Sequence, residues 1–468
     1  MSKIYFPDIE KFKQKAKKWN LIPVYREILA DMETPVSAFY KMDNGKYGFL
    51  LEGVEKGETI GRFSFLGTNP YGVFKNKGKE VEIIRNSTSE RKTLTYSNPL
   101  SFLKKEMRKF KIAQDKKLPS FSGGAVGYIG YDMARNFEKL PETCKDKLHL
   151  PDAMFMLCNS FLIFDHLKRK IKVVHNAEIK NNPEIAYNKA IYEIESIISL
   201  LEKPISEKTR EVIQKTKDKR GQVKSNFTKT EFMNIVKTAK EHIIKGDIIQ
   251  VVLSQRFTTK ANIHPFCIYR ALRSINPSPY MFYLKFDDFH LIGSSPEILV
   301  TKTGKEVRIK PIAGTRPREK TLQGDNRLAQ ELLNDPKEKA EHIMLVDLGR
   351  NDIGRVCKFG TVRVNELMAI EKYSHVMHIV SDVTGELAKG KDSFDILRAC
   401  FPAGTVTGAP KIRAMEIIDK LEKSQRGPYA GGVGYFSFTG NMDLGIAIRC
   451  IAMKGKNLFI QAGAGIVA

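Results

Sequence analysis

Apolar and polar residues alternate differently in the two halves of the chain. Up to about residue 200, short apolar runs are separated by turn residues, as in LLEGVEKGETIGRFSFLG, a pattern typical of a strand-rich segment. The run IAYNKAIYEIESIISLLEK (Ile185–Lys203) instead repeats apolar residues at helical spacing and predicts an amphipathic helix. The charged, apolar-poor stretch after it indicates a linker. We therefore expect a strand-rich half over 1–203, a linker over 204–226 and a second half over 227–468.

The second half opens with the signals of a helix start. Thr228 and Glu231 have the spacing of a capping box, and Phe227 and Phe232 have that of a hydrophobic staple. Apolar residues then recur on one helical face until Gly246, where we expect the helix to end.

Two glycine-rich stretches resemble each other, GGAVGYIGYD at Gly123 and AGGVGYFSFTG at Ala430. One lies in each half, which suggests paired, structurally related sheets. Neither has the spacing of a dinucleotide-binding fingerprint, and GTVTGAPK (Gly404–Lys411) lacks that of a phosphate-binding P-loop. Nucleotide binding is therefore not expected.

Composition is that of an ordinary globular protein, with 42% apolar and 28% charged residues in 468. No apolar run approaches the roughly 18–20 residues of a membrane span, and the N-terminus has no signal core. We expect a cytoplasmic protein without a membrane partner. Its six cysteines are dispersed, which favours reduced thiols over disulfides or a zinc site.

The net charge of +24 raises the question of a nucleic-acid partner. The lysines are spread along the chain, with clusters only at Lys11–Lys18 and Lys203–Lys224, and no zinc-finger or RNA-binding motif accompanies them. We favour a solvated lysine-rich surface over nucleic-acid binding. Its positive field would attract small anions.

Several polar residues stand out against their local pattern. In IIQVVLSQRF, period-two alternation predicts a strand whose polar face contains Gln250, Val252, Ser254 and Arg256. This face is either exposed to solvent or part of a functional site. In SSPEILV, Glu297 is either an exposed glutamate at a strand start or a carboxyl in an apolar pocket. In EKYSHVMHIVSDVTGEL, His378 is either a core residue or a functional one.

A helix start in NDPKEKAEHIM brings two carboxylates together. Asp335 is the expected N-cap and Pro336 the first helical residue. Glu338 and Glu341 then share one face and have oxygen ligands for a hard cation such as Mg²⁺. The alternatives are a capping role for Glu338 and simple solvation of both. Farther on, GTVTGAPKIRAMEIIDK predicts a small-residue loop entering a helix, whose free N–H groups suit a carboxylate.

These segments resemble the chorismate-utilising enzymes, and the resemblance runs from about Phe6 to the last residue. It implies an α+β fold with two large, mostly antiparallel β-sheets from both halves, packed together and flanked by helices. It also implies a Mg²⁺-dependent reaction on chorismate.

Two positions indicate which reaction the resemblance implies. Hydrating members of the family carry a lysine base at position 250, whereas neutral Gln250 cannot deprotonate water, so ammonia becomes the expected nucleophile. Members of the commoner type that aminates C4 carry a nucleophilic lysine at position 313, where this chain has Ala313. Amination at C2 followed by pyruvate elimination, giving anthranilate for tryptophan biosynthesis, is therefore implied.

By the resemblance, Glu297 protonates the departing C4 hydroxyl, while His378 and Thr405 assist pyruvate elimination. Glu341 binds Mg²⁺, with Glu338 as its neighbour. Arg449, preceded by Gly445 and Ala447 on one predicted strand face, offers a bidentate fork to a carboxylate. The implied substrate-binding residues are Gly314, Thr315, Tyr435, Arg449, Gly463 and Gly465.

NPSPYMFYL and LLEG resemble the two segments that bind tryptophan as a feedback inhibitor in this family. The implied inhibitor-binding residues are Glu52, Gly53, Asn276, Pro277, Ser278, Tyr280 and Met281. Gly53 stands where a serine is usual, so we expect feedback inhibition that is weakened by about 1 kcal/mol or more of lost inhibitor binding.

The chain has no cysteine-nucleophile glutaminase motif, so a separate glutamine amidotransferase subunit is expected to supply ammonia. Family members continue past QAGAGIVA into a helix with a further Mg²⁺-binding glutamate, whereas this sequence ends at Ala468. Either the sequence is a piece of a longer chain, or Glu341 and water alone hold the ion. Two alternatives remain: aminodeoxychorismate synthase component I, and a catalytically weak protein that binds chorismate or tryptophan.

Overall fold

The computed structural model describes residues 4–43, 45–53, 61–85, 90–205, 221–373 and 376–468. Within these ranges, two β-sheets of twelve strands each form the centre of the protein, and their strands pair antiparallel. Helices lie on the outer faces of both sheets. The predicted α+β class with two large antiparallel sheets is confirmed.

The two sheets differ in which segments they combine. The first sheet runs from edge to edge through Leu21–Leu29, Lys170–Glu178, Ser160–Asp165, Phe63–Thr68, Gly48–Glu52, Tyr280–Phe286, Phe289–Ser295, Cys450–Lys454, Asn457–Ile466, Gln250–Lys260 and Lys224–Ser225, with Gly408–Ala409 also paired to Gln250–Lys260. The second runs through Ile312–Pro317, Val376–Glu386, Glu306–Ile309, Ile298–Thr303, Met442–Ile446, Gly432–Ser437, Gly124–Ile129, Ala153–Cys158, Gly72–Lys77, Glu80–Arg85 and Glu90–Thr95, with Arg363–Lys372 also paired to Val376–Glu386.

Both sheets join the two halves of the chain. Gly48–Glu52 pairs with Tyr280–Phe286 in the first sheet, and Gly124–Ile129 pairs with Gly432–Ser437 in the second. The expectation that the two glycine-rich stretches mark paired, structurally related sheets is therefore wrong, because they are neighbouring strands of one sheet. A Cβ on Gly124 would lie 2.1 Å from the Phe436 carbonyl oxygen, so glycine permits this close strand approach. The linker predicted over 204–226 falls largely outside the described residues, and its boundaries stay a prediction.

The helices follow their capping signals. Among the described residues they are Ile9–Ala16, Pro35–Met42, Pro99–Arg108, Pro183–Glu202, Lys229–Ile244, Pro265–Ile275, Leu322–Asn334, Pro336–Gly354, Ser393–Cys400 and Lys411–Leu421, with 3-10 turns at Tyr131–Asn136 and Gly404–Val406. Thr228 and Glu231 form the predicted capping box, and the rings of Phe227 and Phe232 lie 5.8 Å apart. Asp335 accepts hydrogen bonds from the N–H groups of Lys337 and Glu338, as its N-cap role requires.

Apolar side chains pack between the two sheets and also on the outer face of the first sheet. Between the sheets, aromatic and aliphatic side chains such as Phe121, Tyr128 and Phe282 pack together. The outer face of the first sheet is covered by helices that include Ile9–Ala16 and Pro183–Glu202. All six cysteines are free thiols, as predicted. Among the described residues, no helix combines the length and apolar composition that crossing a membrane needs.

Candidate active site

Gln250 opens a long strand at the point where a distant loop pairs with it. Its register partner is Ala409, and the Ile249 N–H donates to the Ala409 carbonyl at 2.7 Å. Gly408 has a φ of +140°, and a Cβ there would lie 2.1 Å from the Gln250 carbonyl oxygen. Glycine therefore lets the loop that carries Thr405 lie directly against the start of the strand.

The polar face of this strand is buried, which excludes a solvent face. Ser254 is 1% and Arg256 5% exposed. The Ser254 hydroxyl donates to Glu422 at 2.8 Å, and Arg256 donates to the Ser424 hydroxyl at 3.1 Å. A buried ion pair with Arg426, at 2.6 Å, holds Glu422 in turn. These two polar residues therefore anchor the strand, while Gln250 points into a different environment.

Gln250 lies between a carboxylate and a glycine. Its Nε2 donates to Glu341 Oε1 at 3.4 Å, and its Oε1 is buried without a hydrogen-bond partner among the described residues. A Cβ on Gly465 would lie 2.8 Å from Gln250 Nε2. Glycine at that position therefore leaves room for the amide.

Glu338 and Glu341 lie one turn apart on helix Pro336–Gly354. Instead of closing a capping box, the Glu338 carboxylate accepts from Arg316 at 3.3 Å. Within the described part of the chain, no three His, Cys, Asp or Glu side chains cluster as metal ligands. The two carboxylates and the unpaired Gln250 oxygen are nevertheless hard oxygen donors, which suit Mg²⁺ completed by water and substrate.

His378 is held by the backbone of the neighbouring strand. The pairing of Ile312–Pro317 with Val376–Glu386 shifts register between Ala313 and Thr315, and Gly314 lies at the irregularity with a φ of +69°. His378 Nδ1 lies 2.9 Å from the Gly314 carbonyl oxygen and 3.1 Å from Thr315 Oγ1. A carbonyl only accepts, so Nδ1 carries the proton and Nε2 is the free base of the neutral ring. Burial lowers the pKa of His378 and favours that neutral form.

Glu297 has the opposite electrostatic character. It is 8% exposed and directly precedes strand Ile298–Thr303. Burial raises the pKa of its carboxyl to about 8, although the Thr405 hydroxyl and the charge of Arg449 lower that pKa in part. The carboxyl is therefore protonated at neutral pH and can donate a proton.

Arg449 reaches the site from a turn, not from a strand. The strand Met442–Ile446 ends before it, and Arg449 has a φ of +48°. The prediction that Gly445, Ala447 and Arg449 share a strand face is therefore wrong; the space over Gly445 is filled by the ring of Tyr280, 2.7 Å from an added Cβ. The charge of Arg449 lowers the pKa of both Glu297 and His378, so it acts on both groups.

Tyr435 is not brought to this site. Its hydroxyl lies 2.9 Å from Ser120 Oγ, and its ring packs against Phe121 between the sheets. The tyrosine that does approach is Tyr429, whose hydroxyl lies 2.7 Å from the position of a Gly463 Cβ. Burial raises the pKa of Tyr429 to about 12, so it stays a hydrogen-bond donor. In the sequence, Tyr429 lies directly before the glycine-rich stretch AGGVGYF, and this position could have identified it as a site residue.

Comparisons with known proteins agree with this arrangement. The profile of a family described as chorismate binding enzyme matches residues 49–468. The chain belongs to this chorismate-binding enzyme family. Anthranilate synthase component 1 of Acetivibrio thermocellus is 49% identical over 467 residues, which cover 99% of this chain and 94% of the relative. The corresponding protein of Aquifex aeolicus is 48% identical over 464 residues, 98% of this chain and 92% of that relative.

Solved structures show the same fold. Anthranilate synthase component I from Streptococcus pneumoniae aligns with a TM-score of 0.77 at 37% identity, over 94% of each chain. The menaquinone-specific isochorismate synthase of Escherichia coli aligns with a TM-score of 0.69 at 18% identity, over 98% of this chain and 93% of that one. The second match supports the fold alone.

A cavity of about 280 Å³ also lies between the two sheets of this protein. Of the predicted inhibitor-binding residues, Glu52, Gly53, Tyr280 and Met281 line it. Asn276, Pro277 and Ser278 do not; they form the connection between helix Pro265–Ile275 and strand Tyr280–Phe286. We call this space the regulatory cavity, after the role that is proposed for it below.

Three polar groups that the sequence did not reveal shape the regulatory cavity. Arg273 binds the Glu52 carboxylate through two nitrogens at 2.9 and 3.0 Å, and Tyr269 donates to the same group. The Tyr280 hydroxyl donates to Asp443 at 2.7 Å, and burial raises the pKa of Asp443 to about 6. The cavity therefore offers carboxylates to a ligand with an amine or N–H donor.

Proposed function

We propose that this chain is the large subunit of an anthranilate synthase, which converts chorismate and ammonia into anthranilate and pyruvate at the first committed step of tryptophan biosynthesis. The proposal rests on a buried site that contains a protonated acid, Glu297, and a neutral base, His378. The side chain at position 250 of this site is a glutamine, which is not basic. Without a base at that position, water is not activated, and ammonia is the nucleophile.

The proposed reaction has two steps, and different residues act in each. In the first, ammonia forms a bond to C2, the ring double bond shifts and the C4–O bond breaks. Glu297 donates the proton that turns the leaving hydroxyl into water, and the new ammonium group releases a proton to solvent. In the second, His378 Nε2 takes the C2 proton while the C3–O bond breaks and pyruvate departs as its enolate, which takes up a proton from solvent to give pyruvate, and His378 returns its proton to solvent. Arg449 binds a substrate carboxylate, and the Thr405 hydroxyl, which is buried without a hydrogen-bond partner among the described residues, assists the elimination.

Ala313 excludes the covalent route to C4 amination, because its methyl group carries no nucleophile. It lies on the strand beside Gly314 and opposite Ile379. Substrate is then aminated directly by ammonia.

The proposal includes Mg²⁺ held by Glu341, with Glu338 close by and the Gln250 oxygen available as a further donor. When bound, the ion would neutralise the ring carboxylate and draw electron density from the ring. Removal of the ion with a chelator should abolish turnover, and Glu341→Gln should raise the Mg²⁺ concentration needed for half-maximal activity by roughly 10–100-fold.

Regulation and partners follow from the same assignment. Tryptophan is the proposed inhibitor in the regulatory cavity, where its amine meets the carboxylate of Glu52. A glutamine amidotransferase subunit would deliver ammonia in the cytoplasm.

The test is product analysis of this chain with chorismate, Mg²⁺ and an ammonium salt, by chromatography with mass detection. Anthranilate and pyruvate in equal amounts are expected, and Glu297→Gln is the matched inactive control. A 4-amino product would show an aminodeoxychorismate synthase instead. Chorismate or tryptophan binding without any turnover would show a binding protein.

A further inference from the structure

A polar network separates the regulatory cavity from His378. It consists of Lys310, Glu371 and Tyr373, all of which line that cavity. Lys310 Nζ lies 2.5 Å from Glu371 Oε1, and the Tyr373 hydroxyl donates to Glu371 Oε2 at 2.9 Å. Both oxygens of Glu371 are therefore engaged, which fixes the carboxylate in one orientation.

The network touches His378 in two ways. Glu371 is its direct register partner across the antiparallel strands, which places both side chains on one face of the sheet. The Tyr373 ring lies 5.4 Å from the imidazole at an angle of 66°, an edge contact. Since Glu371 holds the Tyr373 hydroxyl, it also sets the position of the ring that packs on the histidine.

Charge around His378 is balanced between two groups. Burial, the largest influence, lowers the pKa of His378, and the hydrogen bond with the Gly314 carbonyl raises it. The guanidinium of Arg449 then lowers the pKa and the Glu371 carboxylate raises it. Arg316, on the adjacent strand, is committed to Glu331, Asp335 and Glu338. Glu371 is thus the described carboxylate that supports the basicity of this imidazole.

A simple surface ion pair is the competing explanation. Lys310 is 17% and Glu371 31% exposed in their side chains, and exposed pairs of this kind contribute little to stability. An ion pair of that kind would leave His378 unaffected when broken. The register, the ring contact and the bound tyrosine hydroxyl instead tie Glu371 to the histidine.

We propose that Glu371, clamped by Lys310 and Tyr373, is a positioning residue that orients His378 and sustains its strength as a base. The inference rests on the proposed function, in which His378 removes the C2 proton. Glu371 itself does not contact the reacting atoms.

The test compares Glu371→Gln with Glu386→Gln, which removes a similar lysine-paired carboxylate, 2.7 Å from Lys358, on the histidine's own strand. Loss of the Glu371 charge lowers the pKa of His378, so the acid limb of kcat moves to lower pH while the maximal kcat falls by roughly three- to tenfold. KM for chorismate should change less than about twofold, because binding groups are untouched. Glu386→Gln should match the unaltered protein.

A direct titration keeps this test independent of turnover. Nitrogen-15 NMR of labelled histidines, with His378 assigned by its loss in His378→Gln, should show its pKa falling in Glu371→Gln but not in Glu386→Gln. An unchanged His378 titration, or equal effects of the two variants, would overturn the positioning role. If the unaltered protein forms no anthranilate, the proposed function is wrong. The NMR titration would still show whether Glu371 affects the pKa of His378.

Discussion

The protonation of Glu297 gives the sharpest quantitative test of the site. In the folded protein burial raises its pKa to about 8 from an ordinary value of 4.5. A carboxyl that binds its proton more tightly in the folded state stabilises the protein fully below pH 4.5, and this contribution is lost as the pH rises to about 8. At ~1.4 kcal/mol per pH unit, the loss across that window amounts to roughly 5 kcal/mol at most.

The perturbation is Glu297→Gln, which keeps the shape and removes the ionisation. The difference in free energy of unfolding, variant minus unaltered protein, should rise by about 2–5 kcal/mol from pH 5 to pH 9. Urea unfolding at the two pH values measures this difference. Glu306→Gln, at a carboxyl with 55% side-chain exposure in the same sheet, is the control and should show no such gain.

Activity should report the same proton. The unaltered protein should lose kcat above about pH 8, because the acid that protonates the leaving hydroxyl is then ionised. Glu297→Gln should be slower by roughly 10²–10⁴-fold and lack this alkaline limb. An identical alkaline limb in the variant, together with equal stability changes at pH 5 and pH 9, would refute the assignment of Glu297 as the buried acid.

Three further substitutions probe the neighbouring groups. Gln250→Lys puts an amine where the hydrating members of the family carry their base, so a hydrated product should appear and anthranilate should fall at least about tenfold by mass-detected chromatography. Gly465→Ala places a methyl 2.8 Å from Gln250 Nε2 and should cut kcat roughly tenfold with less than about 1 kcal/mol change in unfolding free energy. Gly53→Ser adds a hydroxyl to the regulatory cavity, although its Cβ would lie 2.9 Å from Gly61 N and the backbone must shift. The tryptophan inhibition constant should still fall about two- to fivefold. An unchanged constant would contradict the proposed inhibitor site.

Local signals in the sequence predicted much of the framework. The strand at Gln250, the capping box at Thr228 and the N-cap at Asp335 each rest on residues a few positions apart, and the structure shows all three. These features were predictable because hydrogen bonds between near neighbours decide them.

The errors have a common physical origin in long-range geometry. The shared strand face of Gly445, Ala447 and Arg449 extends the alternation past Ile446, where the backbone turns and Arg449 takes a φ of +48°. Tyr435 and Tyr429 lie close in sequence, yet only the packing of the two sheets determines which one reaches Gly463. No periodicity in the sequence carries that information.

The same long-range packing sets the relation between catalysis and the regulatory cavity. Ile298 and Lys310 line that cavity and also the gap that contains Glu297 and Thr405. Ile298 directly follows Glu297, so the acid sits at the end of a strand whose first residue forms the cavity wall. A ligand filling the cavity therefore contacts the residue next to the acid, which gives feedback of the proposed kind a direct contact through which to act on Glu297.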